Sequence, residues 1–152
     1  MVARTQMTFV AHGERFTPSK VPAQYSSAHD PGVIGSLGRY RGTPVPYGSA
    51  DFGVPEGVED KIAYVHERVF PFLAAMREAG AETFWLHITY HYDAQCALGF
   101  SKEELKMILE LDCELHIDCM TAEEAEPGAT PNGGPADPLA NSRVVGGPPS
   151  VS

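Results

Sequence analysis

His87, His91, Glu114, His116 and Asp118 are the side chains of this chain best suited to chemistry, since imidazoles and carboxylates gathered on one surface are what a zinc or non-haem iron site uses. They fall in two segments, FWLHITYHY and CELHIDC, that alternate apolar and polar residues as strands do. On the first, Phe84, Leu86, Ile88 and Tyr90 take one face, and Trp85, His87, Thr89 and His91 the other. On the second, Cys113, Leu115, Ile117 and Cys119 point inward, and Glu114, His116 and Asp118 outward. Four strand positions separate His87 from His91 by about 13 Å, too far for both to hold one ion. A helical HITYH would bring them together, but its β-branched and aromatic residues favour strand, and the glutamate of the zincin motif is missing.

If the two strands pair in parallel with Phe84 beside Cys113, His87 falls beside His116 and Thr89 beside Asp118. His87, His116 and Asp118, with His91 nearby, are then a candidate metal set that would take zinc or iron. The plainer alternative is a half-exposed sheet face on which imidazoles hydrogen-bond carboxylates, with no cofactor. His116 and Asp118 could also act as a general base pair, but no nucleophile stands beside them in the sequence. Cys96 and His91 pair a thiol with an imidazole, yet no oxyanion-hole signature accompanies them. No catalytic residue is assigned, and the chain reads as a binding protein rather than an enzyme.

Gly32, Gly35 and Gly38 form no phosphate-cradling loop, because no buried strand precedes them and no helix follows. The basic cluster Arg39-Tyr40-Arg41, with Tyr47 and Phe52, is a candidate contact surface for a partner or ligand. A pocket between this loop and the sheet would suit a small-molecule enzyme.

The elements that position these residues follow from periodicity. Gln6 to His12 is an expected strand with Met7, Phe9 and Ala11 on one side and Thr8, Val10 and His12 on the other. Thr17-Pro18 predicts a short helix to about Tyr25. From Pro22 to Gly57 the chain is rich in glycine and proline, with short edge strands expected at Leu37–Arg41 and Val45–Tyr47. Val58 to Ala79 has the spacing of the main helix, kinked at Pro71 and stopped by Gly80. Ser101-x-x-Glu104 is a capping box that opens a second helix to about Leu111, with Leu105, Ile108 and Leu109 inward. The expected fold is α+β: a small mixed sheet with helices on one face and a C-terminal strand-helix-strand unit with a right-handed crossover. Residues 1–120 form this single domain, and 121–152, rich in proline and glycine without periodicity, are expected to be a disordered tail.

Composition narrows the partners. A formal charge of −9 argues against nucleic acid or an anionic membrane and suits a basic protein partner or simple solubility. The sequence has no membrane-length apolar run and no signal peptide at its start, so a cytoplasmic location is expected. Three unevenly spaced cysteines do not form a disulfide framework; Cys113 and Cys119 are expected in the core, too far apart to bridge.

FVAHGERFTPSKV near the start, the long helix before FWLHITY, and GFSKEELKMILELDCELHIDC at the end resemble an uncharacterised bacterial domain-of-unknown-function family of immunity type. The resemblance covers Met7 to Cys119 and implies a small α+β unit without an established active site. It lacks that family's glycine-x-tryptophan strand, and the strand histidines are additional to the pattern. Taken with the acidic charge and the lack of a placed catalytic set, the resemblance leads to the expectation of a small cytoplasmic bacterial binding protein, immunity-like, that neutralises a protein partner through its acidic surface, the exposed sheet face and the loop from Arg39 to Phe52.

Overall fold

The computed structural model describes residues 4–121, which form one mixed sheet backed by helices on a single face, an α+β fold. In chain order the strands are β1 (Arg4–Gly13), β2 (Ser27–His29), β3 (Gly48–Gly53), β4 (Thr83–Tyr92) and β5 (Glu114–Thr121). Their order across the sheet is β2-β3-β1-β4-β5, antiparallel throughout except for the parallel pair β4 and β5. That parallel pair is joined by a helical crossover, as a parallel connection requires. Of the expected tail, Thr121 is the last residue of β5, and 122–152 lie outside the described residues.

Alternation along the strands decides which side the helices cover. Met7, Phe9 and Ala11 of β1, Ala50 and Phe52 of β3, and Phe84, Leu86 and Ile88 of β4 enter one core with Ile62, Val65, Val69, Leu73 and Met76. Phe9 sits at its centre, stacked on Phe84 at 5.8 Å and edge-on to Phe52 at 6.2 Å. Burying each such side chain contributes roughly 1.5–3 kcal/mol.

The main helix is three pieces: α1 (Lys61–Val69), a 3-10 turn at Phe70–Phe72, and α2 (Leu73–Glu78). Pro71 lies in the turn, where its missing N–H and ring interrupt the α ladder. The helix begins at Lys61 and not at Val58, because Asp60 caps it, accepting from the Ala63 amide at 2.9 Å. Gly80 ends it at φ +101°, with the Arg15 carbonyl so close that a Cβ would fall 2.5 Å from its oxygen.

The helix α3 (Lys102–Glu110) opens with the expected capping box: Ser101 accepts from the Glu104 amide at 3.1 Å, and the Ser101 amide donates to Glu104 at 2.6 Å. Its inward face differs from expectation. Ile108 and Leu111 are buried, whereas Leu105 is 51% and Leu109 80% exposed. The helix is held on α1 through Glu110 and His66, 2.8 Å apart, and this rotation turns Leu105 and Leu109 outward.

Three further differences have local causes. The helix expected after Thr17 is one 3-10 turn, Pro18–Lys20, because Pro22 stops it and the Thr17 hydroxyl is directed to the Arg15 carbonyl instead of capping. The strands expected at 37–41 and 45–47 are instead a 3-10 turn at Gly38–Tyr40 and an irregular hairpin-like lobe, closed by Gly35 N to Thr43 O at 2.9 Å and Val45 N to Val33 O at 2.9 Å. The true strands are β2 and β3, and β3 is interior to the sheet. Finally, Ile117 and Cys119 are exposed and only Cys113 and Leu115 are half-buried, because β5 is an edge strand that extends past the helical layer.

Candidate functional site

The sheet face opposite the helices carries the polar half of every strand, and in-register pairing arranges these side chains in rows. One row runs His29, Ser49, His12, Thr83. The next runs Ser27, Asp51, Val10, Trp85, Glu114. Beyond it lie Thr8, His87 and His116, then Gln6, Thr89 and Asp118, then Arg4, His91 and Met120. The parallel register pairs Trp85 with Glu114, as the alignment of Phe84 beside Cys113 requires, and sets His87 directly across from His116.

Aromatic and imidazole rings form a continuous band over this face. From the lobe, Tyr40 meets Tyr47 at 5.9 Å; Tyr47 meets His12 at 4.5 Å and His29 at 5.5 Å. His12 then meets Trp85 at 6.0 Å, and Trp85 meets His116 at 6.4 Å. The band crosses from the lobe over β1 and β4 to β5. These rings are half-exposed or exposed, with apolar faces available for packing and polar edges for hydrogen bonds.

Electrostatics give the face a sign. Asp51, Glu114 and Asp118 project from it, while the Arg4 guanidinium at its corner is paired with Glu56. Burial raises the Asp51 carboxyl above its ordinary value of 3.8 and lowers the His12 imidazole below 6.5. His12 is therefore neutral at pH 7. His29 Nδ1 is buried without a hydrogen-bond partner, which makes the His29–Asp51 end of the face its least satisfied part.

The candidate metal residues are distributed in pairs. His87 Nε2 lies 2.7 Å from Asp118 Oδ2, and His116 Nε2 lies 3.0 Å from Glu114 Oε2. His91 is two rows from His87 along β4, between Arg4 and Met120. Among the described residues, no three histidine, cysteine, aspartate or glutamate side chains stand close enough to hold a metal ion. The arrangement is the imidazole–carboxylate pairing that the sequence offers as its alternative.

Of the candidate contact residues, Arg39, Tyr40, Arg41 and Tyr47 belong to the lobe, and Arg39 lies over the Tyr40 ring at 5.6 Å. Phe52 does not belong with them. It points to the helical side of β3, 7% exposed, and packs on Phe9 and Tyr25. Tyr47 lies against His12 and His29, in the space where a pocket beneath the loop is expected. Two cavities open elsewhere: one of about 660 Å³ between residues 4–8 and 53–57, another of about 250 Å³ beside Tyr25, Tyr64 and Arg68.

Sequence reasoning places His12 on the correct face but misses its role, and it misses His29 and Asp51 altogether. The missing signal was β3: once GSADFG is read as an alternating strand, Asp51 falls on the face with Val10, and His29 follows from the β2 pairing. Val33, Ile34 and Leu37, at the outer end of the lobe, are exposed by 48%, 59% and 83%. No described helix is long and apolar enough to cross a membrane. The chain matches no family model, no curated protein and no solved structure.

Proposed function

We propose that this protein acts by binding, and that the uncovered sheet face with its ring band docks a protein partner of basic character. The observation that carries this reading is the band from Tyr40 through Tyr47, His12 and Trp85 to His116, flanked by Asp51, Glu114 and Asp118. Aromatic rings at the centre of a flat surface are the side chains on which binding energy concentrates, and carboxylates around them steer a cationic surface into place. The net charge of −9 acts in the same direction at longer range. The exposed apolar residues of the lobe lie at one end of the band and enlarge the contact. A neutralising, immunity-like role, as the sequence reading suggests, fits a small protein with such a docking face.

Titration calorimetry against the basic products of adjacent genes tests the reading. A complex of micromolar affinity or tighter is expected, weakened at least about tenfold by Trp85→Ala and weakened again by raising the salt. If none of these products binds at micromolar concentration, the reading fails.

A further inference from the structure

Away from the ring band, two thiols that the sequence does not relate meet at the far end of the strand-helix-strand unit. Cys96 lies in the segment between β4 and α3, and Cys119 near the end of β5, 23 positions later. Their sulfur atoms are 3.2 Å apart and both residues are exposed. A disulfide bond is about 2.05 Å long, so closure needs an approach of roughly 1 Å. Cys119 pairs in register with Tyr90, which places it on the helical side of the sheet, the side from which the segment carrying Cys96 leads into α3.

We propose that Cys96 and Cys119 are a reversible dithiol–disulfide site whose reaction partner is a small disulfide such as oxidised glutathione. One cysteine, as its thiolate, attacks a sulfur of the reagent; a mixed disulfide forms and one reduced thiol leaves. The second cysteine loses its proton to solvent and attacks the protein sulfur of that mixed disulfide, releasing the second reduced thiol. Two electrons pass from the protein pair to the reagent, and the chain loses two hydrogens. The third cysteine is a built-in comparison. Cys113 is half-buried, its thiol pushed up to about 11 by burial, and its sulfur faces the Ile108 carbonyl at 3.8 Å. The hydrogen bond to Cys119 raises Cys96 as well, so closure accelerates as the pH is raised above neutrality.

Closure ties the crossover segment to the edge strand that carries Glu114, His116 and Asp118. It restricts the opening of β5 without occupying the ring band, because Cys119 and Asp118 point to opposite faces.

The test uses the full chain, fully reduced and then incubated at pH 8 with excess oxidised glutathione. The expected product is a monomer lighter by two hydrogens with one free thiol, a peptide linking Cys96 to Cys119, and a Tm raised by roughly 10 °C that dithiothreitol reverses. Cys119→Ser should instead hold glutathione on Cys96 with no rise in Tm, and Cys113→Ser should close as the unaltered chain does. Glutathione retained on Cys96 or Cys119 of the unaltered chain would overturn the proposal, as would a crosslink involving Cys113 or a product joined only between chains.

Discussion

His87 and His116 stand directly across from one another on the parallel strands β4 and β5, yet each ring is turned to a carboxylate: His87 to Asp118 at 2.7 Å, His116 to Glu114 at 3.0 Å. The side chains of His87 and Asp118 are 41% and 65% exposed, so water screens their pairing. A double-mutant cycle of His87→Ala and Asp118→Ala, read by urea unfolding, should give a coupling of about 0.5 kcal/mol. A coupling above about 2 kcal/mol would mean that the pair holds the sheet together rather than furnishing its surface.

β3 depends on small residues at one end. A Cβ on Gly48 would lie 1.7 Å from the Phe16 carbonyl oxygen, and that oxygen belongs to backbone that cannot turn aside. Gly48→Ala should cost about 4 kcal/mol or more and leave little folded protein at 37 °C, whereas Gly99→Ala, with open space around its Cβ and no left-handed φ, should fold with little loss. Thermal unfolding monitored by circular dichroism compares the two.

Burial raises the Asp51 carboxyl, so the folded chain holds that proton more tightly than the unfolded chain does. Stability is therefore lost as the pH rises from 3.8 through the folded value, and above it the ionised Asp51 costs stability. Asp51→Asn should raise Tm by a few degrees at pH 7, and the gain should vanish towards pH 3.8. His12 has the opposite sign: its lowered folded value makes stability fall as the pH drops below 6.5, and His12→Gln should flatten that limb. Melting curves between pH 3.5 and 7.5 would separate the two effects.

Ser101→Ala removes one half of the capping box that starts α3, and should cost about 1 kcal/mol with no change in the position of the unfolded baseline. Chemical denaturation measures it. Ser101→Asp should restore most of the loss, since aspartate also caps.

What could be read in the sequence followed from strong local signals. The alternation of Phe84 to Tyr90, the capping box at Ser101 and the spacing of Ile62, Val65, Val69, Leu73 and Met76 each agree with the tertiary packing, so those elements were legible, while the β4–β5 register was an assumed alignment that the pairing bears out. The 22–57 region was not. Its interior strand GSADFG has no β-branched residue, the type by which strands are recognised, and it opens on Gly48, which the approach of the Phe16 backbone requires and which reads as a turn in sequence. The face was accordingly half legible: the β4 and β5 residues were placed, while His29 and Asp51, which depend on β2 and β3, were not. Leu105 and Leu109 misled for another reason, since helical periodicity marks an apolar stripe but leaves open how far the helix is rotated on its neighbours.

Trp85 is the single tryptophan of the chain and lies in the ring band, between His12 and His116, so its fluorescence reports on the proposed docking face. The decisive measurement is the emission of Trp85 during titration with the basic partner identified by calorimetry. The account predicts a blue shift and reduced quenching by acrylamide as the complex forms, both saturating with the calorimetric curve. A complex that forms while the emission and quenching of Trp85 stay unchanged would place the partner elsewhere on the protein and contradict it.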